Sequence, residues 1–329
     1  MKPARTIKSI LTYALAPVLL IILSVSVYRA VQAQTDLPAA WQEIKGALFS
    51  VRIGWLLLAL MGTILNWGFE AWKWQQLMKQ TEAISFFRAY KGVLTGVSFT
   101  LFTPNRVGEY LGRIWHLSAS SRGAAVSLSV AGGLAQLFIT VLGGMIAFEL
   151  LLRGGFAFPI LPVTALAVFP FQWLGWLIVI VLFVLYFNLG EVGQFLSRVA
   201  WLQKISHWML ALVRISRRES IIVLVLSMLR YAVFLLQYYA LFQFFGVAIS
   251  LSTTCITIAF VFLSMALIPA MALADLGIRG QLSLWIVGAF SANALGIVMA
   301  TTTIWFINLI LPAIVGAAFL SKSKLKGEG

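Results

Sequence analysis

The amino-acid sequence predicts an all-α polytopic membrane protein, and three observations carry that prediction. The chain is 61% hydrophobic and 10% charged, with a mean hydropathy of +0.97, which excludes an ordinary soluble globule. Several apolar stretches approach the ~20 residues that one helical span requires. No charged or low-complexity linker separates off a soluble domain, so we interpret residues 1–329 as a single integral membrane domain.

The apolar runs predict about eight transmembrane helices plus a broken or re-entrant segment. The first run follows a basic N-terminus, and its length favours an uncleaved span over a signal peptide. Segment 84–103 is apolar but ends in charged residues, so we expect it to be broken or re-entrant. The eight predicted spans lie near residues 10–30, 53–72, 124–150, 165–188, 220–245, 252–272, 281–299 and 301–320.

The formal net charge of +14 predicts membrane topology rather than nucleic-acid binding. The alternation of these spans puts most Lys and Arg residues on one side, which the positive-inside rule assigns to the cytoplasm. Both termini are therefore expected in the cytoplasm, with the protein in a bacterial inner membrane. We expect no nucleic-acid partner, and some attraction to anionic lipid headgroups.

Residues 191–214 show the pattern of an amphipathic helix. Val192, Phe195 and Val199 recur at helical spacing, with Arg198 and Lys204 between the apolar positions. We expect a connector that lies in the inner membrane interface. A gate or a partner-docking helix is the alternative reading.

The first break, about residues 92–113, places charges inside apolar sequence. Thr103 suits a helix N-cap and the proline after it suits the first helical position. A helix starting there would carry Arg106, Glu109 and Arg113 on one face, with the last two paired at i, i+4. Free backbone N–H groups and Arg106 would bind an anion such as a phosphate headgroup. The alternative is a cytoplasmic loop with a snorkelling salt bridge. The candidate substrate-binding residues here are Thr103, Asn105, Arg106, Glu109 and Arg113.

The second break, about residues 268–281, repeats this pattern. Pro269 ends an apolar run, and Asp275 and Arg279 follow four residues apart. Two interrupted segments in corresponding halves point to a transporter site at the membrane midplane. We therefore expect both breaks to line one cavity, and the halves to be inverted repeats.

Arg230 lies about ten residues inside a predicted span. An isolated Arg at the bilayer centre costs at least ~2.5 kcal/mol on insertion scales, so it requires a partner. Glu109 and Asp275 are the acids that we nominate, and snorkelling of Arg230 toward the inner membrane surface is the alternative. Glu70, near the end of the second predicted span, is interpreted as an interfacial anchor.

The sequence predicts no metal site and no cofactor. His116 and His207 stand far apart without Cys or His neighbours, unlike a zinc site. Nucleotide-binding loops, dinucleotide fingerprints and nucleophile elbows are also missing from the sequence, so enzyme activity is not indicated.

At its two breaks the chain resembles the lysylphosphatidylglycerol synthase transmembrane region, also called the flippase-like domain family. The segment from Pro104 to Arg113 is similar to that family's Pro-x-Arg-x-Gly-Glu-x-x-Arg pattern, with one extra residue before Arg113. A later family segment, Pro…Gly-Gly-x-Gly-x-Arg-Glu, is similar to Pro269 together with residues 277–279. The family's last span is similar to residues 305–312. Gln281 stands near the position where the family often carries Glu. Asp275 is a candidate to supply the carboxylate that this Glu would provide. The resemblance implies the membrane part alone, without the aminoacyl-transferase domain of the bifunctional synthases.

Together these features predict a flippase-like transporter that moves an anionic phospholipid or polyprenyl-phosphate lipid between leaflets. The proposed site comprises Thr103, Asn105, Arg106, Glu109, Arg113, Arg230, Asp275 and Arg279. An intramembrane lipid-modifying transferase and a non-catalytic membrane scaffold are the alternatives. The sequence leaves open a homo-oligomer or a partner from lipid biosynthesis.

Overall fold

The computed structural model describes residues 25–33, 37–100, 103, 108–155, 165–199, 206–268 and 272–325. Within these ranges all regular structure is helical, which confirms the predicted all-α class. Thirteen α-helices are labelled below; residues 25–32 are helical as well. The labelled helices are α1 (Leu37–Ala47), α2 (Ile53–Met78), α3 (Phe86–Thr100), α4 (Gly108–Trp115), α5 (Arg122–Arg153), α6 (Ala165–Phe187), α7 (Leu189–Ser197), α8 (Ser206–Val213), α9 (Arg217–Phe244), α10 (Leu251–Ala266), α11 (Ala272–Val287), α12 (Ala294–Trp305) and α13 (Leu311–Leu325).

Five helical segments of the described chain are long and apolar enough to cross a membrane, which makes this a multi-pass membrane protein. The last of them is built from α12, a π-helical turn at Phe306–Ile310 and the start of α13. Most of the predicted first span, 10–30, lies outside the described residues. The five segments are Ile53–Met78, Ala119–Arg153, Pro170–Phe187, Arg217–Phe244 and Ala294–Leu320.

Two of the predicted spans do not have the predicted form. The run 281–299 crosses a turn at 288–293 and therefore belongs to two helices, α11 and α12. The reason is local: the side chain of Asn293 accepts a hydrogen bond from the N–H of Gly296 and starts α12. The run 252–272 is cut short as well, because α10 ends at Ala266.

The predicted amphipathic helix over 191–214 is two shorter helices. α7 ends at Ser197 and α8 begins at Ser206. They pack on one another through Gly193, where an added Cβ would lie 2.9 Å from the carbonyl oxygen of Met209. The lack of a side chain at Gly193 thus permits the close contact that one continuous helix could not make.

The antiparallel pair α2 and α9 forms the centre of the bundle. Gln237 Nε2 donates to the carbonyl oxygen of Ala59 (2.8 Å), and Arg230 contacts Glu70 further along α2. As one helix rises through these contacts the other descends. This pair defines two ends of the bundle: a near end, where α2 finishes at Met78, and a far end, where α2 begins at Ile53.

A first hairpin, formed by α3 and α4, enters the bundle from the near end. A Cβ at Gly96 would lie 2.6 Å from the carbonyl oxygen of Glu109, and a Cβ at Gly112 would collide with the backbone of Gly96. Glycine is therefore required at both positions for the two helices to pack so closely. The start of α3 is joined to the end of α4 by a hydrogen bond from Arg88 Nε to the carbonyl oxygen of His116 (2.8 Å).

A second hairpin, formed by α10 and α11, enters from the far end. α10 runs antiparallel to α5: Leu263 packs on Gly144, and the rings of Phe260 and Phe148 stack 5.8 Å apart. Sixteen residues in each helix give a length of about 24 Å, short of the ~30 Å hydrocarbon thickness. The two hairpins thus approach one another from opposite ends of the bundle.

Candidate functional site

The tips of both hairpins end at one cavity of about 750 Å³. Thr100 and Thr103 line it from the first hairpin, and Ala266 and Ile268 from the second. The long helices α2, α5 and α9 supply its walls. The geometry therefore brings both sequence breaks to a common cavity inside the bundle.

Glu70 of α2 is the centre of a buried charge cluster on this cavity. Its Oε2 lies 2.7 Å from Lys73 Nζ and 2.6 Å from Arg230 Nη1. Its Oε1 lies 2.7 Å from Arg113 Nη2, which also pairs with Glu109. Glu70 is only 3% exposed. One carboxylate thus joins three cations from three helices, α2, α4 and α9.

Aromatic rings and amides complete the coordination of these guanidinium groups. Arg230 lies 5.0 Å above the ring of Trp67, and its Nε donates to Asn66 Oδ1 (2.5 Å). Arg113 lies 5.4 Å from the ring of Trp74. Cation–π contacts of this kind stabilise a desolvated cation, so the cluster is held in fixed geometry at low exposure.

A chain of buried amides extends from the cluster toward the far end. Asn66 Nδ2 donates to Asn308 Oδ1 (3.1 Å), and Asn308 Nδ2 donates to Gln237 Oε1 (3.3 Å). Gln237 in turn donates to Thr63 Oγ1 (2.9 Å). Asn308 sits in the π-helical turn, a distortion that is frequent at functional sites.

The second hairpin contributes a further ion pair. Arg279 Nη2 lies 3.0 Å from Asp275 Oδ2, which confirms the predicted i, i+4 pairing. Arg279 Nη1 also donates to the hydroxyl of Tyr238 (3.4 Å), next to Gln237 on α9. The second hairpin is thereby linked to the central pair of helices.

The cavity lining favours a ligand that is negatively charged and rich in hydrogen-bond acceptors. Among the described lining residues there are four cations and three carboxylates, a formal charge of +1. Of the lining side chains, Trp67 Nε1, Arg113 Nε and Arg279 Nε lack a hydrogen-bond acceptor within the described part of the chain, against one lining acceptor, Gln136 Oε1, that lacks a donor there. An anion with several oxygens matches that excess of donors and charge. The cations are Lys73, Arg113, Arg230 and Arg279, and the carboxylates are Glu70, Glu109 and Asp275.

The structure places six of the eight sequence-predicted site residues on this cavity. Thr103, Glu109, Arg113, Arg230, Asp275 and Arg279 all line it, and the predicted Glu109–Arg113 pair is confirmed. Asn105 and Arg106 lie outside the described residues.

The described helix of the first break begins at Gly108 rather than next to Thr103. Thr103 Oγ1 accepts from the N–H of Gly108 (2.8 Å), five residues on, and donates to the carbonyl oxygen of Phe99 (3.0 Å). The predicted N-cap contacts would reach two or three residues on, outside the described residues, and within the described part of the chain Thr103 links α3 to the start of α4. Gly108 permits it, since an added Cβ would collide with Phe99.

Sequence reasoning missed the most connected residue of the site. Glu70 was interpreted as an interfacial anchor, and that interpretation is wrong: Glu70 is buried and is the acid that contacts Arg230. A local signal existed, because Asn66, Glu70 and Lys73 share one face of an otherwise apolar helix. Polar stripes of this kind face a bundle interior or a cavity.

The family of the chain follows from its sequence match to a family model. The family model for the lysylphosphatidylglycerol synthase TM region matches residues 19–316. The chain belongs to this family. The match covers both hairpins and every described charged residue of the cavity, and it concerns the membrane region of the family. Among curated proteins, none matches the chain by sequence.

Proposed function

We propose that this protein moves a lipid with a phosphate-containing anionic headgroup between membrane leaflets. The observation that carries the proposal is the cavity at which the two hairpins meet, with positive formal charge and buried guanidinium groups at its core. Membership of a membrane family related to lysylphosphatidylglycerol fits a lipid substrate. The headgroup would bind at Arg113, Arg230 and Arg279, while Glu70, Glu109 and Asp275 act as exchangeable counter-charges.

In this proposal the two hairpins are re-entrant segments of an inverted repeat. Their entry from opposite ends and their meeting in one cavity are what such a repeat requires. Together with the predicted first span, most of which lies outside the described residues, six crossing segments and two re-entrant hairpins would replace the eight spans expected from hydropathy.

The near end is proposed to be cytoplasmic, with both termini on that side of a bacterial inner membrane. Basic residues concentrate at this end, as the positive-inside rule requires of the cytoplasmic side. At the far end the basic residues of the described chain are fewer: Arg29, Lys45, Arg52 and Arg153. At the near end they are Lys79, Arg88, Lys91, Arg122, Arg198, Arg214, Arg217 and Arg218.

The test is transbilayer movement in liposomes that contain the purified protein and a fluorescent phosphatidylglycerol. Arg279→Gln should abolish movement, because it removes a cation from the cavity at a partly exposed position where folding is least at risk. Arg106→Ala tests the part of the first break that lies outside the described residues. Arg153→Gln, which removes an exposed charge remote from the cavity, is the matched control.

The outcomes distinguish lipid transport at this cavity from the alternative functions. Loss of movement in Arg279→Gln with an intact melting transition, and full movement in Arg153→Gln, support the proposal. Lipid movement at the wild-type rate in Arg279→Gln would exclude this cavity as the headgroup-binding site. No movement of phosphatidylglycerol or of a polyprenyl phosphate by the wild type would overturn transport, and a covalently modified lipid in the same liposomes would indicate a transferase.

A further inference from the structure

Three residues on one face of α5 line the cavity and are also exposed. Val130, Gly133 and Leu137 are spaced by three and four positions, so they form a stripe along the helix. Val130 is 51% exposed and Leu137 is 40% exposed, whereas Ala131 and Ala135 between them are buried. Side chains that line an enclosed cavity would be buried. The cavity is therefore open to the outside along this stripe.

The second hairpin explains why the opening lies there. Further along α5 the same stripe is covered, since Gly144 packs on Leu263 of α10 and is buried. α10 ends at Ala266, and the exposed residues Ala266 and Ile268 line the cavity. Helix α10 thus ends before it reaches Leu137, and the exposed part of the stripe forms the opening.

Gly133 lies at the middle of the opening. Apart from the backbone of its own helix turn and its chain neighbours, no atom of the described residues lies within 4 Å of the position that its Cβ would take. Its neighbour Gly132, by contrast, faces the bundle, where a Cβ would lie 3.0 Å from Leu77 Cδ1. A side chain at position 133 would consequently enter the opening without displacing the packed core.

The opening and the cavity differ in polarity in the way that an amphiphile requires. Arg113 and Arg230 bind charge inside, whereas Val130 and Leu137 form an apolar edge. A water-soluble anion has no apolar surface to bury against such an edge, whereas an acyl chain is stabilised by contact with it. We infer that the stripe of Val130, Gly133 and Leu137 is a lateral portal, through which the acyl chains of a phosphate-headed lipid extend into the bilayer while the headgroup occupies the cavity. This inference rests on the proposed function for the identity of the headgroup site.

Photolabelling tests the portal separately from transport. The probe is phosphatidylglycerol with a diazirine in one acyl chain, and labelled residues are located by mass spectrometry. Wild-type protein should be labelled along the stripe, and Gly133→Trp should reduce that labelling at least about tenfold by filling the opening. Gly133→Leu is a milder second variant. Gly68→Trp is the matched control, because Gly68 of α2 also has no described atom near its Cβ position and does not line the cavity.

The outcomes separate the portal from the proposed function. Absence of label along the stripe would overturn the portal, whether or not the protein moves lipid. Equal labelling by a diazirine diacylglycerol, which lacks the phosphate, would also overturn it, since bilayer lipid would then occupy the stripe without headgroup recognition. Headgroup-dependent labelling that Gly133→Trp removes would establish the portal. If movement were then absent in the wild type, the proposed function alone would fail.

Discussion

Glu70 and Arg230 form a 2.6 Å ion pair between α2 and α9, although 160 positions of the chain separate them. The same carboxylate contacts Lys73 on its own helix and Arg113 on the first hairpin. Both oxygens of Glu70 are thus occupied by cations from different elements. Since the residue is buried, this contact fixes the hairpin against the central helix pair.

Removal of Glu70 should destabilise the protein far more than removal of one of its cations. Glu70→Ala leaves Lys73, Arg113 and Arg230 close together without their shared acid, and breaking a buried pair typically costs about 3–5 kcal/mol. Lys73→Met leaves Glu70 with two guanidinium partners and replaces an ammonium by an apolar group of similar size. Thermal unfolding in detergent measures both. A larger loss of melting temperature in Lys73→Met than in Glu70→Ala would contradict the assignment of Glu70 as the centre of the cluster.

The glycine contact of the first hairpin predicts a second effect. Gly112→Ala should lower the melting temperature and slow lipid movement, because the new methyl group would meet the backbone of Gly96 and push α4 away. Arg113, the next residue, would then leave Glu70. Gly54→Ala is the control, since its Cβ would meet no atom of the described residues within 4 Å. Equal stability of the two variants would argue against close packing of the hairpin.

The near end should give the protein a measurable pH dependence through His116. Burial, followed by the charges of Lys91 and Arg88, lowers the pKa of His116 in the folded protein. The pKa in the unfolded chain is about 6.5, so the unfolded state binds the proton more readily. The contribution of His116 to the free energy of unfolding is therefore fully present above about pH 6.5, and it is lost as the pH falls through the folded-state pKa.

Substitution of the imidazole isolates this contribution. His116→Gln keeps a partner for Thr95 Oγ1, which lies 3.1 Å from His116 Nε2, but does not titrate. We expect its melting temperature to fall less than that of the wild type between about pH 7.5 and about pH 5. Parallel pH profiles for the two proteins would exclude His116 as the source.

The amide chain should show energetic coupling between Asn66 and Asn308. Each truncation leaves the other amide with an unmet hydrogen bond, so the two losses should not add. Coupling energies of buried polar pairs in membrane proteins average about 0.6 kcal/mol and reach about 1.7 kcal/mol. A double-mutant cycle of alanine variants measures the value. The exposed pair Ser50 and Asn188 provides a cycle expected to give zero, and zero coupling for Asn66 and Asn308 as well would show that their contact contributes nothing.

Local features of the site were predictable from the sequence, whereas its long-range contacts were not. The pairs Glu109–Arg113 and Asp275–Arg279 follow from a spacing of four residues on a helix, which needs no knowledge of the fold. The contact between Glu70 and Arg230 depends on how α2 and α9 pack. Such a partner cannot be read from spacing: the sequence nominated Glu109 and Asp275 for Arg230, whereas the structure pairs Arg230 with Glu70.

Hydropathy also failed where a short polar signal interrupted an apolar run. The segment 281–299 is apolar on average, yet Asn293 starts a new helix by accepting a hydrogen bond from the N–H of Gly296. A single cap contributes about 1 kcal/mol, too little to alter a hydropathy average but enough to set a helix boundary. The second hairpin was therefore predicted as parts of two spans.

Charge balance in the cavity gives the last prediction. Glu109→Gln raises the formal charge of the described lining from +1 to +2, while Arg113 keeps Glu70 as its partner. At a separation of roughly 7 Å and an effective dielectric of about 20, one charge is worth about 2 kcal/mol. Binding of glycerol 3-phosphate in detergent should accordingly tighten at least about tenfold, and lipid movement should slow because the bound headgroup leaves less readily.

Glu149→Gln is the control for that charge change, because it also removes one carboxylate but does not line the cavity. Glu149 Oε1 accepts from Gln172 Nε2 (2.6 Å) and Trp176 Nε1 (3.0 Å) on α6, away from the hairpin tips. Isothermal titration should therefore give wild-type affinity for this variant. Tighter binding in both variants would indicate a general charge effect of the protein, and unchanged binding in Glu109→Gln would mean that Glu109 does not act as a counter-charge to the headgroup. Only a gain confined to Glu109→Gln assigns the anion to the cavity.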